Sequence, residues 1–205
     1  MLTANRDLMA QARTQLRGNW GMCVGVSAIF ILINAATGAL KQAGGIVSLI
    51  IGGPLALGLA IYFLGLVRQK KAPAVAVMFD GFKRFTDALV AYLLVALFVI
   101  LWAILLIVPG IMAALGYAMT YYILADNPEM PATDAMKKSK EMMRGNRWKL
   151  FCLGCRFIGW AILGILSCGI GFLWILPYGY TSFTNFYLDL KQNGGAQVQG
   201  ADRAA

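Results

Sequence analysis

The feature that most constrains this chain is a long stretch without any charge. No Asp, Glu, Lys or Arg occurs between Asp87 and Asp126, and nearly every residue between them is apolar. A helix needs about 20 apolar residues to cross a bilayer, so this stretch is too long for one crossing and fits two. The sequence therefore predicts a pair of membrane-spanning helices joined by a tight turn.

Two further stretches have the same character. Residues 18–67 carry Lys41 as their one charge, and residues 150–188 carry Arg156 as theirs. Because strands of a membrane barrel alternate apolar and polar residues and these stretches do not, helices are favoured. We expect an all-α integral membrane protein with six transmembrane helices arranged as three hairpins. The chain as a whole is only 13% charged, against roughly 25% in soluble domains.

The expected boundaries follow from the apolar runs. The predicted spans are 20–40, 45–67, 87–106, 108–125, 149–168 and 171–188. Glycine and proline place the intervening turns at Gly38 to Gly45, at Pro109-Gly110 and at Gly169-Ile170-Gly171. Residues 1–190 then form one membrane domain, and the polar, glycine-rich residues 191–205 are expected to be a disordered cytoplasmic tail.

The basic residues predict the orientation of the hairpins. Of 18 Lys and Arg residues, 16 fall in four polar segments that six spans would place on one side, and Lys41 is alone on the other. An excess of Lys and Arg marks the cytoplasmic side, so both termini are expected there. The net charge of +9 is then interpreted as attraction to anionic lipid headgroups and not to nucleic acid.

The three hairpins look like repeats. Each follows a short amphipathic segment that is expected to lie as a helix at the membrane interface. The first and third units also share local sequence, since Leu16 to Trp20 reads LRGNW and Met143 to Trp148 reads MRGNRW. Glycine and asparagine suit the end of a helix, and tryptophan suits the interface.

The residue types argue against catalysis. The chain contains no histidine, which removes the most frequent general base and metal ligand. No pair of carboxylates lies inside a span, and the four cysteines all fall in predicted spans, where thiols usually act as small apolar residues. We therefore predict a protein that is not an enzyme, with no catalytic residues, no metal site and no cofactor.

Six positions remain as candidate functional or structural sites. Arg156 lies about two turns inside the fifth span, where a charge can extend back to the headgroups, pair with Asp126 or Asp189, or contact a substrate. Pro54 and Pro177 interrupt the second and sixth spans, and a proline frees a backbone carbonyl and kinks a helix. Pro109 is expected in the turn of the second hairpin.

A set of residues in the second and third hairpins matches the pattern of a known family. They are Pro109, Gly110, Ile111, Tyr117, Asp126, Asn127, Pro128, Ala135, Ser139, Lys140, Met143, Gly145, Lys149, Leu150, Phe151 and Phe157 to Trp160. Through them the chain resembles, over nearly its whole length, a bacterial polytopic membrane family that is catalogued as a domain of unknown function, number 975. It also looks distantly like the membrane domain of some glycerophosphodiester phosphodiesterases. The resemblance implies a multi-pass protein of the bacterial plasma membrane and implies no activity.

Two functions are compatible with these observations. The first is a non-enzymatic envelope accessory or scaffold that binds a partner protein, a second copy of itself or lipid at its basic cytoplasmic face. The alternative is a transporter or channel for a lipid or small solute, gated at the Pro54 and Pro177 kinks. A continuous polar cavity would favour the transporter, and a filled apolar interior would favour the scaffold.

Overall fold

The computed structural model describes residues 2–39, 44–167 and 169–202, and the described part contains helices and no β-strand. The all-α fold class is therefore confirmed. The helices are α1 (Asn5–Leu16), α2 (Trp20–Ala39), α3 (Gly44–Gln69), a 3₁₀ helix η1 (Val75–Arg84), α4 (Phe85–Leu105), α5 (Ile107–Tyr117), α6 (Thr120–Asp126), α7 (Ala132–Met142), α8 (Arg147–Leu166) and α9 (Phe172–Asp202).

The order of elements repeats three times. A short helix comes first, then a long apolar helix, then a second helix that returns beside it. The first unit is α1, α2 and α3; the second is η1, α4 and the pair α5 and α6; the third is α7, α8 and α9. This order agrees with the predicted succession of a short amphipathic helix and a hairpin.

Five helical segments of the described chain are long and apolar enough to cross a membrane. They are Trp20–Ala39, Val47–Gln69, Val75–Leu105, Ile107–Asp126 and Arg147–Leu166. The sixth predicted span, in α9, is not among them, because its middle carries many tyrosine, threonine and serine residues. By length and hydropathy the described residues thus contain five candidate spans where six were predicted.

The turn of the second hairpin lies three residues before its predicted place. Leu106 breaks the helix with φ −159° and ψ 138°, and Pro109 lies inside the first turn of α5. Proline is tolerated there because the first amide groups of a helix have no helical acceptor. Gly110 instead allows close packing, since a Cβ atom on it would lie 2.8 Å from the Cα atom of Ala103.

The other two turns differ in what the structure describes. Residues 169–171 do form the turn between α8 and α9, as predicted, and Gly169 has a φ of 86°. Cys168, predicted at the end of a span, lies outside the described residues. So do residues 40–43 of the first predicted turn, including Lys41, the expected outer charge.

The core of the bundle is built on α3 and α9. Four of the largest fully buried side chains of the described residues lie on these two helices: Tyr62, Phe63, Phe186 and Tyr187. Thr181 and Ser182 of α9 are buried too, and they bond to their own helix: Thr181 Oγ1 donates to the Pro177 carbonyl at 2.7 Å, and Ser182 Oγ donates to the Tyr178 carbonyl at 2.8 Å. Such bonds let a polar helix lie in an apolar interior without unsatisfied hydroxyl groups.

Each short helix packs against the last helix of another unit. η1 packs on α3, α7 packs on α5 and α6, and α1 packs on α9. The apolar stripe of α1 is buried and consists of Leu8, Ala12 and Leu16. The stripe is covered by protein, so the three units close into a ring through their short helices.

The repeated sequence of the first and third units has a repeated geometry. Gly18 and Gly145 have φ values of 83° and 77°, a conformation that glycine adopts without strain. Asn19 Nδ2 donates to the Gln15 carbonyl at 3.1 Å, and Asn146 Nδ2 donates to the Met142 carbonyl at 3.3 Å. In both units this corner turns the chain from the short helix into the following long helix.

The last helix extends beyond its predicted end. α9 continues as a helix to Asp202, whereas the composition of residues 191–205 predicts a disordered tail. The helical backbone simply runs on from the packed part of α9, and residues 203–205 lie outside the described residues. The division of the chain at residue 190 stays a prediction.

Candidate polar site at the basic end

One carboxylate joins all three units of the bundle. Asp126, the last residue of α6, forms ion pairs with Arg68 at the end of α3 and with Lys191 in α9, and it accepts a hydrogen bond from Tyr187 Oη at 2.9 Å. Its side chain is only 3% exposed, while those of Arg68 and Lys191 are 45% and 49% exposed. The buried anion is thus neutralised by cations that keep contact with water.

A second carboxylate ties the start of the chain to its last helix. Asp189 accepts hydrogen bonds from Thr3 N at 2.9 Å and from Thr3 Oγ1 at 2.7 Å. Lys149 Nζ lies 3.2 Å from the same carboxylate, and Asn5 Nδ2 donates to the Lys149 carbonyl at 2.8 Å. These bonds hold α1 against α9 and thereby close the ring of units.

In each of the first two hairpins a polar contact joins the start of the hairpin to its end. Asn19 Oδ1 accepts a hydrogen bond from Ala72 N at 3.0 Å, which links the start of α2 to the chain after α3. Arg84 Nη1 donates to the Leu124 carbonyl at 2.8 Å, which links the start of α4 to the end of α6. In the third hairpin the Lys149–Asp189 pair likewise links the start of α8 to α9. All these contacts lie at one end of the bundle, which we call the basic end.

The basic end carries more positive charge than its own carboxylates neutralise. Six cations of the described chain form ion pairs: Arg68, Lys83, Arg84, Lys137, Lys149 and Lys191. Nine others that adjoin the long helices at this end form none with the described residues: Arg6, Arg13, Arg17, Lys70, Lys71, Lys138, Lys140, Arg144 and Arg147. Most of these side chains are exposed, so the surface is available to anions.

Arg156 does not have the partners proposed for it. Its two candidate acceptors, Asp126 and Asp189, are occupied by Arg68, Lys191 and Lys149. Arg156 itself lies exposed on α8 and forms no ion pair with a described residue. The pairing alternative is therefore not observed among the described residues, and the extension to the headgroups and the contact with a substrate stay predictions.

The three prolines have separate positions. Pro54 and Pro177 lie inside α3 and α9, as predicted, and Pro109 lies in the first turn of α5. The carbonyl of Pro54 is close to the backbone of η1, since a Cβ atom on Gly81 would lie 2.0 Å from it. At this point α3 therefore contacts a neighbouring helix closely.

The partners of the two carboxylates were not found in the sequence. Each partner lies at least 40 residues along the chain from the carboxylate that it contacts. The partners of Asp126 are Arg68, Lys191 and Tyr187, and the ion-pair partner of Asp189 is Lys149. A weak signal exists, because two aromatic residues precede each hairpin end, at Tyr62-Phe63, Tyr121-Tyr122 and Phe186-Tyr187. Aligning these pairs places Asp126 and Lys191 at the same position, five residues after the first aromatic residue, and Arg68 one residue later.

This arrangement can hold the three units together and can bind anions at its surface. The buried carboxylates are held in ion pairs and hydrogen bonds, and the remaining groups are lysine and arginine cations at the surface. Such groups bind phosphates and carboxylates by charge-assisted hydrogen bonds.

The comparisons with known proteins identify the family. A family model described as "Protein of unknown function (DUF975)" matches residues 1–114 and 104–194. Neither the comparison with curated proteins nor the comparison with solved structures gave a match. Since the two matched segments cover nearly the whole chain, this multi-pass membrane protein belongs to the DUF975 family.

Proposed function

We propose that this protein is a non-enzymatic accessory of the bacterial plasma membrane whose basic end faces the cytoplasm and gathers anionic lipid. The three-unit ring holds the basic helices in place, and their cations bind headgroups. The observation that carries the proposal is the group of nine exposed or half-exposed cations at the basic end that form no ion pair with described residues. Each cation near an anionic surface contributes about 1 kcal/mol to this attraction.

The proposal includes a sixth span in α9. The ends of α3, α6 and the packed part of α9 meet at Asp126, which supports three return helices running in the same direction. α9 packs against α1, α2, α3 and α8, so its polar face contacts protein and needs no high hydropathy. Both termini then lie on the cytoplasmic side, as the positive-inside rule requires.

The interior favours a scaffold over a transporter. Leu59, Tyr62 and Leu66 of α3 and Phe186 and Tyr187 of α9 are at most 1% exposed. A transport path between the Pro54 and Pro177 kinks would need polar, hydrated surface at these positions. The filled core instead supports a rigid body that presents its surface.

The test measures which lipids surround the protein. The protein is reconstituted in mixed vesicles in which either phosphatidylglycerol or phosphatidylcholine is brominated, because bromine quenches tryptophan fluorescence on contact. We expect stronger quenching by the anionic lipid at low salt and a loss of this preference at high salt, where surface charges are screened. The variant Arg17→Gln, Lys71→Gln, Lys138→Gln and Arg144→Gln should lose most of the preference.

A charge-preserving variant controls for misfolding. Arg17→Lys, Lys71→Arg, Lys138→Arg and Arg144→Lys changes the same positions and should retain the preference. Equal quenching by both lipids in the unchanged protein would overturn the proposal. If the protein released a solute trapped in vesicles, and if this release were lost with Pro54→Ala and Pro177→Ala, the transporter function would be supported in place of the accessory function.

A further inference from the structure

A groove opens on the side of the bundle where the second and third units meet. Its volume is about 200 Å³, and it lies between α4, α5, α7 and α8. Trp102, Met112, Ala113 and Tyr117 supply apolar lining, and Lys140 and Arg147 supply two cations. Neither cation forms an ion pair with a described residue.

Arg147 reaches into the groove over Gly116, which has no side chain to block it. Its guanidinium group crosses α5 at Gly116, where Nη2 would lie 3.4 Å from an added Cβ atom. Ser139 Oγ donates to the Gly116 carbonyl at 2.8 Å and fixes α7 beside it. The Arg147 Nε atom is buried and has no acceptor among the described residues. A buried N–H group without an acceptor is unfavourable, so an anionic ligand at this position would satisfy it.

The groove has a charged end and an apolar end. It runs along α5 from Gly116 to Pro109, which is about 10 Å at the rise of an α-helix. The cations lie at the Gly116 end, toward the basic end of the bundle. The other end approaches the α4–α5 turn, where Ile104, Ile107 and Val108 are among the most exposed apolar residues.

We propose that this groove binds one anionic phospholipid. Lys140 and Arg147 hold the phosphate, and one acyl chain follows α5 past Ala113 toward Trp102. The volume is far smaller than a whole phospholipid, so the remaining chain stays in the bilayer. The site deepens the proposed function, on which it rests for the location of the basic end at the cytoplasmic headgroups.

The repeat supplies an internal comparison. A groove of about 160 Å³ lies where the third and first units meet, with Arg13, Trp20 and Tyr178 in its lining. Arg13 precedes Gly18 by five residues as Lys140 precedes Gly145, and Trp20 follows Gly18 by two residues as Arg147 follows Gly145. This groove therefore has one cation instead of two. That cation already lies 5.8 Å from the centre of the Tyr178 ring.

Native mass spectrometry of the full chain in detergent, titrated with phosphatidylglycerol or phosphatidylcholine, tests the proposal. We expect the first phosphatidylglycerol to bind more tightly than phosphatidylcholine. Lys140→Gln and Arg147→Gln should each weaken it about fivefold, the ratio expected for one basic residue. Ala113→Phe, which fills the apolar part without changing charge, should weaken it as well. The matched variant Arg13→Gln should leave it unchanged.

Several results would overturn the site. Equal binding of the two lipids, or an unchanged affinity in the Lys140→Gln variant, would refute phosphate recognition at this position. Full competition by glycerol phosphate, together with no effect of Ala113→Phe, would show a site for free phosphate. The quadruple variant of the basic end keeps Lys140 and Arg147, so it should keep this one-to-one binding. In the unchanged protein, one-to-one binding without general enrichment of anionic lipid would reject the proposed function and keep this site.

Discussion

At the scale of single residues, Asp126 is the carboxylate that joins all three units. It is buried, it belongs to the second unit, and it bonds to Arg68 of the first and to Lys191 and Tyr187 of the third. We expect Asp126→Asn to lower the free energy of unfolding by about 2 kcal/mol, the contribution of hydrogen bonds to a charged group. Thermal unfolding in detergent measures this.

An exposed ion pair provides the control for Asp126. Asp134 and Lys137 pair at 3.3 Å with side chains 52% and 76% exposed. Asp134→Asn should change the stability by less than about 0.5 kcal/mol, because exposed pairs contribute little. Equal effects at Asp126 and Asp134 would contradict the role given to Asp126.

The partners of Asp189 can be tested by double-mutant cycles. Since Lys149 pairs with Asp189 and Arg156 does not, Arg156→Leu and Asp189→Asn should have additive effects on thermal stability. Lys149→Gln and Asp189→Asn should instead show a coupling of about 1 kcal/mol. A coupling that occurs with Arg156 and not with Lys149 would show that the observed pairing is wrong.

At this scale the sequence predicted which carboxylates matter and not what they bind. Asp126 and Asp189 stood out because each ends an apolar stretch. Their partners depend on how the units pack, and periodicity within one helix carries no information about that. For Arg156 the sequence left three alternatives open for the same reason, because the rotation of α8 decides whether this residue faces α9 or the outside.

At the scale of helices, close contact between units depends on small residues. A Cβ atom on Gly58 would lie 1.7 Å from the Met78 carbonyl oxygen, so α3 and η1 touch backbone to backbone. We expect Gly58→Ala to separate these helices and to lower the stability by about 3 kcal/mol, as overpacking of a filled core does. Gly25→Ala is the matched control, because nothing lies within 4 Å of its added Cβ atom. Thermal unfolding of both variants gives the comparison.

The helices themselves were largely predictable, and the exceptions have physical causes. Uninterrupted apolar runs determined α2, α3, α4 and α8 to within a few residues of the predicted spans. The turn at Leu106 was missed because proline is allowed in the first turn of a helix as well as in a loop. Hydropathy alone does not single out α9 as a span, because its polar face is covered by neighbouring helices.

At the scale of the whole molecule, three repeated units close into a ring. Each short helix packs on the return helix of another unit, and α1 on α9 completes the circle. Local sequence suggested the repeat through the Arg-Gly-Asn corners at Gly18 and Gly145. The ring could not be derived from it, since closure joins Thr3 to Asp189 across nearly the full length of the chain.

The most direct test of the six-span, three-hairpin arrangement is to measure on which side of the membrane each end of a hairpin lies. Activity reporters that work on only one side are fused near Lys70, after Gly195 and between Gly38 and Gly45 in separate chains. Six crossings predict cytoplasmic signals at Lys70 and Gly195 and an external signal between Gly38 and Gly45. An external signal at Gly195 would mean that α9 does not cross and that only the five apolar segments do. That result, or a cytoplasmic signal between Gly38 and Gly45, would contradict the three-hairpin ring.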